Sequence, residues 1–180
     1  MTQLNREQTK DIQNTDMSRR NAGKVQQFLT FLLAGEVYAI NILHIREIIQ
    51  YDNLTKVPMV PSFIAGVINL RGRVVPVIDL ASRFGKQATE LSKRTSIVII
   101  ELTGEGQSLL IGIMVDIVNE VLEIENAQIE PAPSFGSSIR TDFIAGMGKI
   151  DSRFLILLDV ERVLSIEELS AVVDTALPAD

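Results

Sequence analysis

Residues 63–80 read FIAGVINLRGRVVPVIDL, and residues 143–160 read FIAGMGKIDSRFLILLDV. Phe, Ile, Ala, Gly, Arg and Asp recur in register at six of the 18 positions, and most other positions exchange one apolar residue for another. The likeness extends outward on both sides. Glu47 and Glu120 lie 73 residues apart, as do Pro58 and Pro131, while Phe63 and Phe143 lie 80 apart. The second copy therefore carries about seven extra residues around SFGSSIRT. A period of this length is too long for a stacked solenoid repeat. It predicts an internal duplication of two similar small units.

Each copy is written in short apolar segments bounded by turn residues, the pattern of a small-barrel, mostly-β protein. QFLTFLLAGEVYAINI predicts two strands joined across Ala34, Gly35 and Glu36. In ILHIREII, the isoleucines at 42, 45, 48 and 49 fit one helical face, which predicts a short helix or turn-like segment ending before Tyr51. Pro58 and Pro61 punctuate an extended loop. RVVPVIDL reads as a strand in which Pro76 demands an edge or bulge position. Asp79 is placed to cap a short helix, LASRF, ended by Gly85. SIVIIEL and SLLIGIMV form a second hairpin about GEGQ, VNEVLEI takes the place of ILHIREII, and FLILLDV supplies the last strand. SIEELSAVVDTAL closes as an amphipathic helix with Ser165 and Glu168 at capping-box spacing.

Composition sets the bounds. Of 180 residues, 46% are hydrophobic, enough for a sizeable core, and the absence of cysteine removes disulfides, thiolate nucleophiles and cysteine-based metal sites. Residues 1–24 are polar, without an apolar core of a signal peptide, and read as a flexible tail. The densest apolar run, from Leu109 to Val115, falls short of the roughly 20 residues of a membrane helix. These features predict a soluble cytoplasmic protein. Net charge is −6, divided as +2 over residues 1–24, +3 over 25–96 and −11 over 97–180. The acidic half reads either as a solvated face that aids solubility or as one of two faces that meet partners of different charge.

Positions kept in both copies belong to the fold, and positions that differ are free for separate functions. Gly66 and Gly146 meet a backbone demand, either a positive φ or a close approach of chains. Asp79 and Asp159 cap turns or helices. Arg71 and Gly72 become Asp151 and Ser152 in the second copy. A turn written Asn-Leu-Arg-Gly presents one guanidinium outward, suited to bidentate contact with a carboxylate.

Catalysis finds little support. His44 is the single histidine, so a two-histidine metal site is excluded and any nucleophilic triad would have to be built on it. TGEGQ lacks the Lys-Ser/Thr of a nucleotide loop and reads as a hairpin turn. Nucleic acid is disfavoured as well, because there is no tryptophan, aromatics are few and the second half is acidic. No enzyme, cofactor or metal is expected. What remains is a protein-binding module.

From about Gln27 to Leu177 the chain resembles the CheW family of bacterial chemotaxis coupling proteins. FLTFLLAGEVYAINILHIREII, VPMVPSFIAGVINLRGRVVPVIDL, GIMVDIVNEVLEI, PAP and FIAGMG carry the resemblance, in that order. It implies two intertwined five-stranded β-barrels, OB- or SH3-like, with short helices and a C-terminal helix. Residues 25–180 would form one CheW-like domain, with 25–94 and 95–164 as barrel halves that exchange strands and 165–177 as the helix. It implies a non-enzymatic adaptor, recruited to membrane-associated arrays without inserting into the membrane. Its partners would be the regulatory domain of the histidine kinase CheA and the cytoplasmic tip of methyl-accepting chemoreceptors. A coupling role in another chemosensory system, such as pilus-based motility, is an alternative, as is phosphotransfer through His44. Matching by motif carries receptor or kinase binding onto Ile45, Glu47, Gly66, Arg71, Ile97, Gly112, Val121 and Gly146, with Glu47 and Arg71 expected to interact.

Overall fold

The computed structural model describes residues 23–104, 106–132 and 141–164. The tail, most of the SFGSSIRT insertion, Pro133 and the C-terminal helix expected over 165–177 lie outside the described residues.

Each copy opens with a hairpin. Strands β1 (Val25–Leu33) and β2 (Glu36–Asn41) begin the first, and β6 (Ser96–Gly104) and β7 (Gln107–Val115) the second. Ala34 and Gly35 both adopt positive φ, 50° and 82°, making the two-residue turn whose twist matches antiparallel strands. A third strand follows in each copy, β3 (Ile45–Gln50) and β8 (Ile117–Glu125). A further hairpin comes last, β4 (Ile64–Leu70) with β5 (Arg73–Asp79), and β10 (Ile144–Ile150) with β11 (Arg153–Leu158). The short strand β9 (Ile129–Glu130) pairs Glu130 with Met147; its counterpart is a lone bridge between Thr55 and Val67.

The chain is thus mostly β, in two sheets, each drawing strands from both copies. One runs β8-β1-β2-β11-β10-β9 and the other β3-β6-β7-β5-β4. Strands β1, β2, β6 and β7 alternate their side chains between two environments. On β6, Ile97 and Ile99 enter a cluster inside their own sheet, with Val75, Val77 and Met114, while Val98, Ile100 and Leu102 enter a larger cluster between the sheets. On β2, Ala39 faces its own sheet's cluster with Phe28, Ile124, Leu155 and Leu157, and Tyr38 and Ile40 face the shared one. The largest hydrophobic cluster therefore lies between the sheets and bonds the halves together.

The duplicated phenylalanines meet at that junction. Arg83 sets its guanidinium 4.5 Å from the Phe63 ring centroid and 5.5 Å from that of Phe143, and its Nε donates to the Val163 carbonyl at 2.8 Å. Arg83, which stands where the second copy has Val163, thus bridges the two copies.

Two expectations need correction. ILHIREII is turn-like only over Ile42–His44, where a 3-10 turn leads straight into β3. Isoleucines at 45, 48 and 49 satisfy a helical period, but pairing with β6, with a register shift between Ile45 and Glu47, satisfies the backbone instead. β-branched residues favour that outcome. Pro76 does not sit in an edge strand, since β5 lies between β4 and β7. Yet β7 pairs with β5 only over Val77, Ile78 and Asp79, so at Pro76 only the β4 side is paired and no ladder donor is missed. The caps are as expected. Asp79 accepts from the Ser82 amide ahead of helix α1 (Leu80–Arg83), and Asp159 accepts from the Glu161 and Arg162 amides ahead of α2 (Val160–Val163).

Candidate functional site

In the five-stranded sheet β3 and β4 are the two end strands. The sheet curls enough that a side chain on β3 reaches the turn following β4. At that turn Arg71 and Gly72 have φ of 52° and 84°, and Asn69 Oδ1 accepts the Gly72 amide at 2.8 Å. The asparagine carbonyl thereby holds a turn that needs two positive-φ residues, which projects Arg71 off the end of the hairpin.

Arg71 Nη1 donates to Glu47 Oε1 and Nη2 to Glu47 Oε2, both at 3.0 Å. This is the fork-on-carboxylate geometry that matches guanidinium planarity. The arginine side chain is 77% exposed and the glutamate 26%. A pair so wetted adds no more than about 1 kcal/mol to folding. Both side chains line a cleft of about 370 Å³, together with Leu70, Ile99 and Leu110. Arg46 and Glu101 form a second ion pair at the same rim.

The other expected site residues fall into distinct settings. Ile45 is half-buried on β3, against the shared cluster. Val121 lies on β8 of the other sheet and is 50% exposed. Its counterpart by the 73-residue spacing is Ile48, 45% exposed, which the sequence reading passed over. The signal was available, because the Glu-Val pair at 120–121 repeats Glu-Ile at 47–48. Ile97 is fully buried and packs where Gly112 leaves room: a Cβ on Gly112 would lie 2.6 Å from Ile97 Cγ2. Gly66 and Gly146 are also buried. A Cβ on Gly66 would sit 2.6 Å from the Thr55 carbonyl oxygen, and one on Gly146 would sit 2.9 Å from Ile129 Cγ2 and 3.0 Å from the Glu130 carbonyl oxygen. In both copies the glycine admits the strand that crosses β4 or β10. These four buried residues shape the surface from beneath, whereas Glu47, Arg71 and Val121 are on it.

His44 ends the 3-10 turn, half-buried. Among the described residues no three His, Asp or Glu side chains gather as a metal site, and no helix is long and apolar enough to cross a membrane.

A CheW-like domain model matches residues 27–168. The chain is 41% identical to the chemotaxis protein CheW of Klebsiella aerogenes over 151 residues, which cover 84% of this chain and 89% of that one. It is 36% identical to the chemotaxis protein CheW of Bacillus subtilis over 153 residues, covering 84% and 95%. The crystal structure of the scaffolding protein TtCheW from Thermoanaerobacter tengcongensis superposes with a TM-score of 0.71 at 36% identity, covering 81% of this chain and 96% of that one.

Proposed function

The chain belongs to the CheW-like family, and we propose that it is a non-enzymatic chemotaxis adaptor that couples methyl-accepting chemoreceptors to the regulatory domain of the histidine kinase CheA. The observation that carries this reading is the exposed bidentate pair of Glu47 and Arg71, displayed at a sheet rim in a chain so similar to chemotaxis CheW proteins. An ion pair worth little to folding is free to serve recognition, where it fixes the orientation of a partner and sets the encounter rate. Ile45 on the same strand as Glu47, and Val121 on the other sheet, supply apolar contact, and Ile97, Gly112, Gly66 and Gly146 keep the sheets in the shape that presents these residues.

Signalling contacts of this kind bury less than roughly 1,200 Å² in total. Several weak contacts held together in an array multiply into firm attachment. Recruitment to membrane-associated receptors then needs no membrane segment of the protein's own.

The test is a pull-down with the regulatory domain of a CheA-type kinase and, separately, with a receptor-tip fragment. The expected result is capture by both, weakened by Glu47→Arg and by Arg71→Glu, and partly restored when the two exchanges are combined. Capture by neither would overturn the proposal. Incubation with autophosphorylated kinase should leave the protein unlabelled and indifferent to His44→Gln, which separates the adaptor from a phosphotransfer protein.

A further inference from the structure

The six-stranded sheet has a cleft equivalent to the one that Glu47 and Arg71 line, with Glu120 and Asp151 of the other copy in their places. Its volume is about 890 Å³, against about 370 Å³ for the first. Glu120 stands at its rim in the place of Glu47, Asp151 in the place of Arg71, and Arg153 in the place of Arg73. The turn beneath is unchanged in shape, with φ of 46° at Asp151 and 67° at Ser152. The chemistry is inverted. The first cleft is lined by two acids and three bases, the second by three acids and one base.

Two carboxylates cannot form the ion pair that a carboxylate and a guanidinium form at the first cleft. Glu36, the third acid, is engaged, because it accepts the Tyr38 hydroxyl at 2.7 Å and the Lys86 ammonium at 3.3 Å. Among the described residues, Glu120 and Asp151 have no side-chain partner, and Arg153 pairs with neither. Between these charges lie Leu122 and Ile150, and at the edge Phe154 is 56% and Val37 42% exposed. An open apolar groove with two unmatched carboxylates and an accessible aromatic ring is complementary to a cation with an apolar neighbour.

We propose that this second cleft docks a turn of a partner protein that presents an arginine beside an apolar side chain. The incoming guanidinium takes the place that Arg71 occupies in the first cleft, bonding Glu120 and Asp151, and the apolar neighbour covers Phe154 and Leu122. Arginine fits better than lysine because its planar fork meets two carboxylates and stacks on an aromatic face. Residues 165–180 are no rival occupant, since they contain four acids and no base.

The test uses the full chain with methyl-labelled Ile and Leu, titrated with a cyclised peptide of the sequence VINLRGRVVP, which displays an arginine turn. Saturable shifts are expected at Leu122 and Ile150. Glu120→Gln combined with Asp151→Asn should weaken binding by about tenfold, and citrulline in place of both arginines should do the same. Asp151→Arg, which rebuilds the first copy's rim, should abolish binding by filling the site internally. These are surface exchanges, and unchanged core methyl spectra report intact folding. Any of four results overturns the proposal: no shifts with millimolar peptide, equal binding of the citrulline peptide, shifts centred on Leu70 and Leu110, or the same shifts on deleting residues 1–22 without peptide. The last would mean that the chain's own basic N-terminal residues occupy the cleft. Neither kinase nor receptor enters the experiment, so its outcome stands apart from that of the adaptor reading.

Discussion

The hairpins β4–β5 and β10–β11 share a backbone and differ in what they hold out. Both pair the same way, with a register shift after the first residue pair, from Ile64 to Gly66 in one and from Ile144 to Gly146 in the other. Both end in a turn of two positive-φ residues, and both bury a glycine against a crossing strand. At the tips the likeness ends: Arg71 reaches a carboxylate across the sheet, while Asp151 lines a cleft with Glu120. Duplication supplied one scaffold twice, and divergence at the tip put an arginine at one turn and an aspartate at the other. Conformation is carried by the glycines and the register, and recognition by the tip.

This comparison can be broken most severely at its shared foundation. Gly66→Ala should destabilise by about 3 kcal/mol, since a Cβ there meets a backbone oxygen that cannot turn aside and Gly66 has φ of 156°. Gly146→Ala should cost less, about 1–2 kcal/mol, because one of its two close neighbours is a side-chain methyl. Denaturant unfolding of the pair checks both. Equal losses would show that the crossings are equivalent and that the positive φ adds nothing.

Comparable in size is Gly112→Ala, which makes β7 resemble β2, where Ala39 pairs with Leu157 as Gly112 pairs with Val77. The added methyl collides with Ile97 and should cost about 1–3 kcal/mol. Ile97→Val in the same chain should recover part of that loss if the contact is the cause. Recovery would tie these two residues, both expected in partner binding, to one packing event.

The turns separate next. Ser152 holds φ of 67°, a region costly for residues with a Cβ, whereas Gly72 holds 84° freely. Ser152→Gly should therefore stabilise by up to about 1 kcal/mol and Gly72→Ser destabilise by a similar amount, read as opposite shifts of the thermal midpoint. Smallest is the effect of the ion pair on folding. Arg71→Ala should change stability by less than about 1 kcal/mol, and added salt should shrink even that. A larger loss would make Arg71 a structural residue and remove it from recognition.

Much of this was legible in the chain because period-2 apolar runs, turn residues and a repeated 18-residue block each have a local cause. Asp79 and Asp159 were read as caps from their place before short apolar segments, and both accept helix-start amides. Gly66 and Gly146 were read as backbone demands because the duplication kept them, and the close crossings supply the demand. The segment at 42–50 misled because Ile42, Ile45, Ile48 and Ile49 satisfy a helical period as well as a strand followed by a turn. Only the presence of β6 alongside chooses between them. Ile48 escaped notice for a related reason: an exposed isoleucine is invisible while its segment is read as an amphipathic helix.

The sequence by itself determined that two copies of one β unit exist, where their turns fall, and that the copies differ at the Arg71 and Asp151 tips. These follow from nearest neighbours along the chain and from the repeat. Tertiary structure alone decided that β3 pairs with β6 and β8 with β1, so that each sheet is completed by the other copy's strands. It also decided that Glu47 meets Arg71 across a curled sheet while Glu120 meets no cation among the described residues. Strand partners and cleft mouths depend on which apolar faces can be buried together, and that is a property of the packed whole.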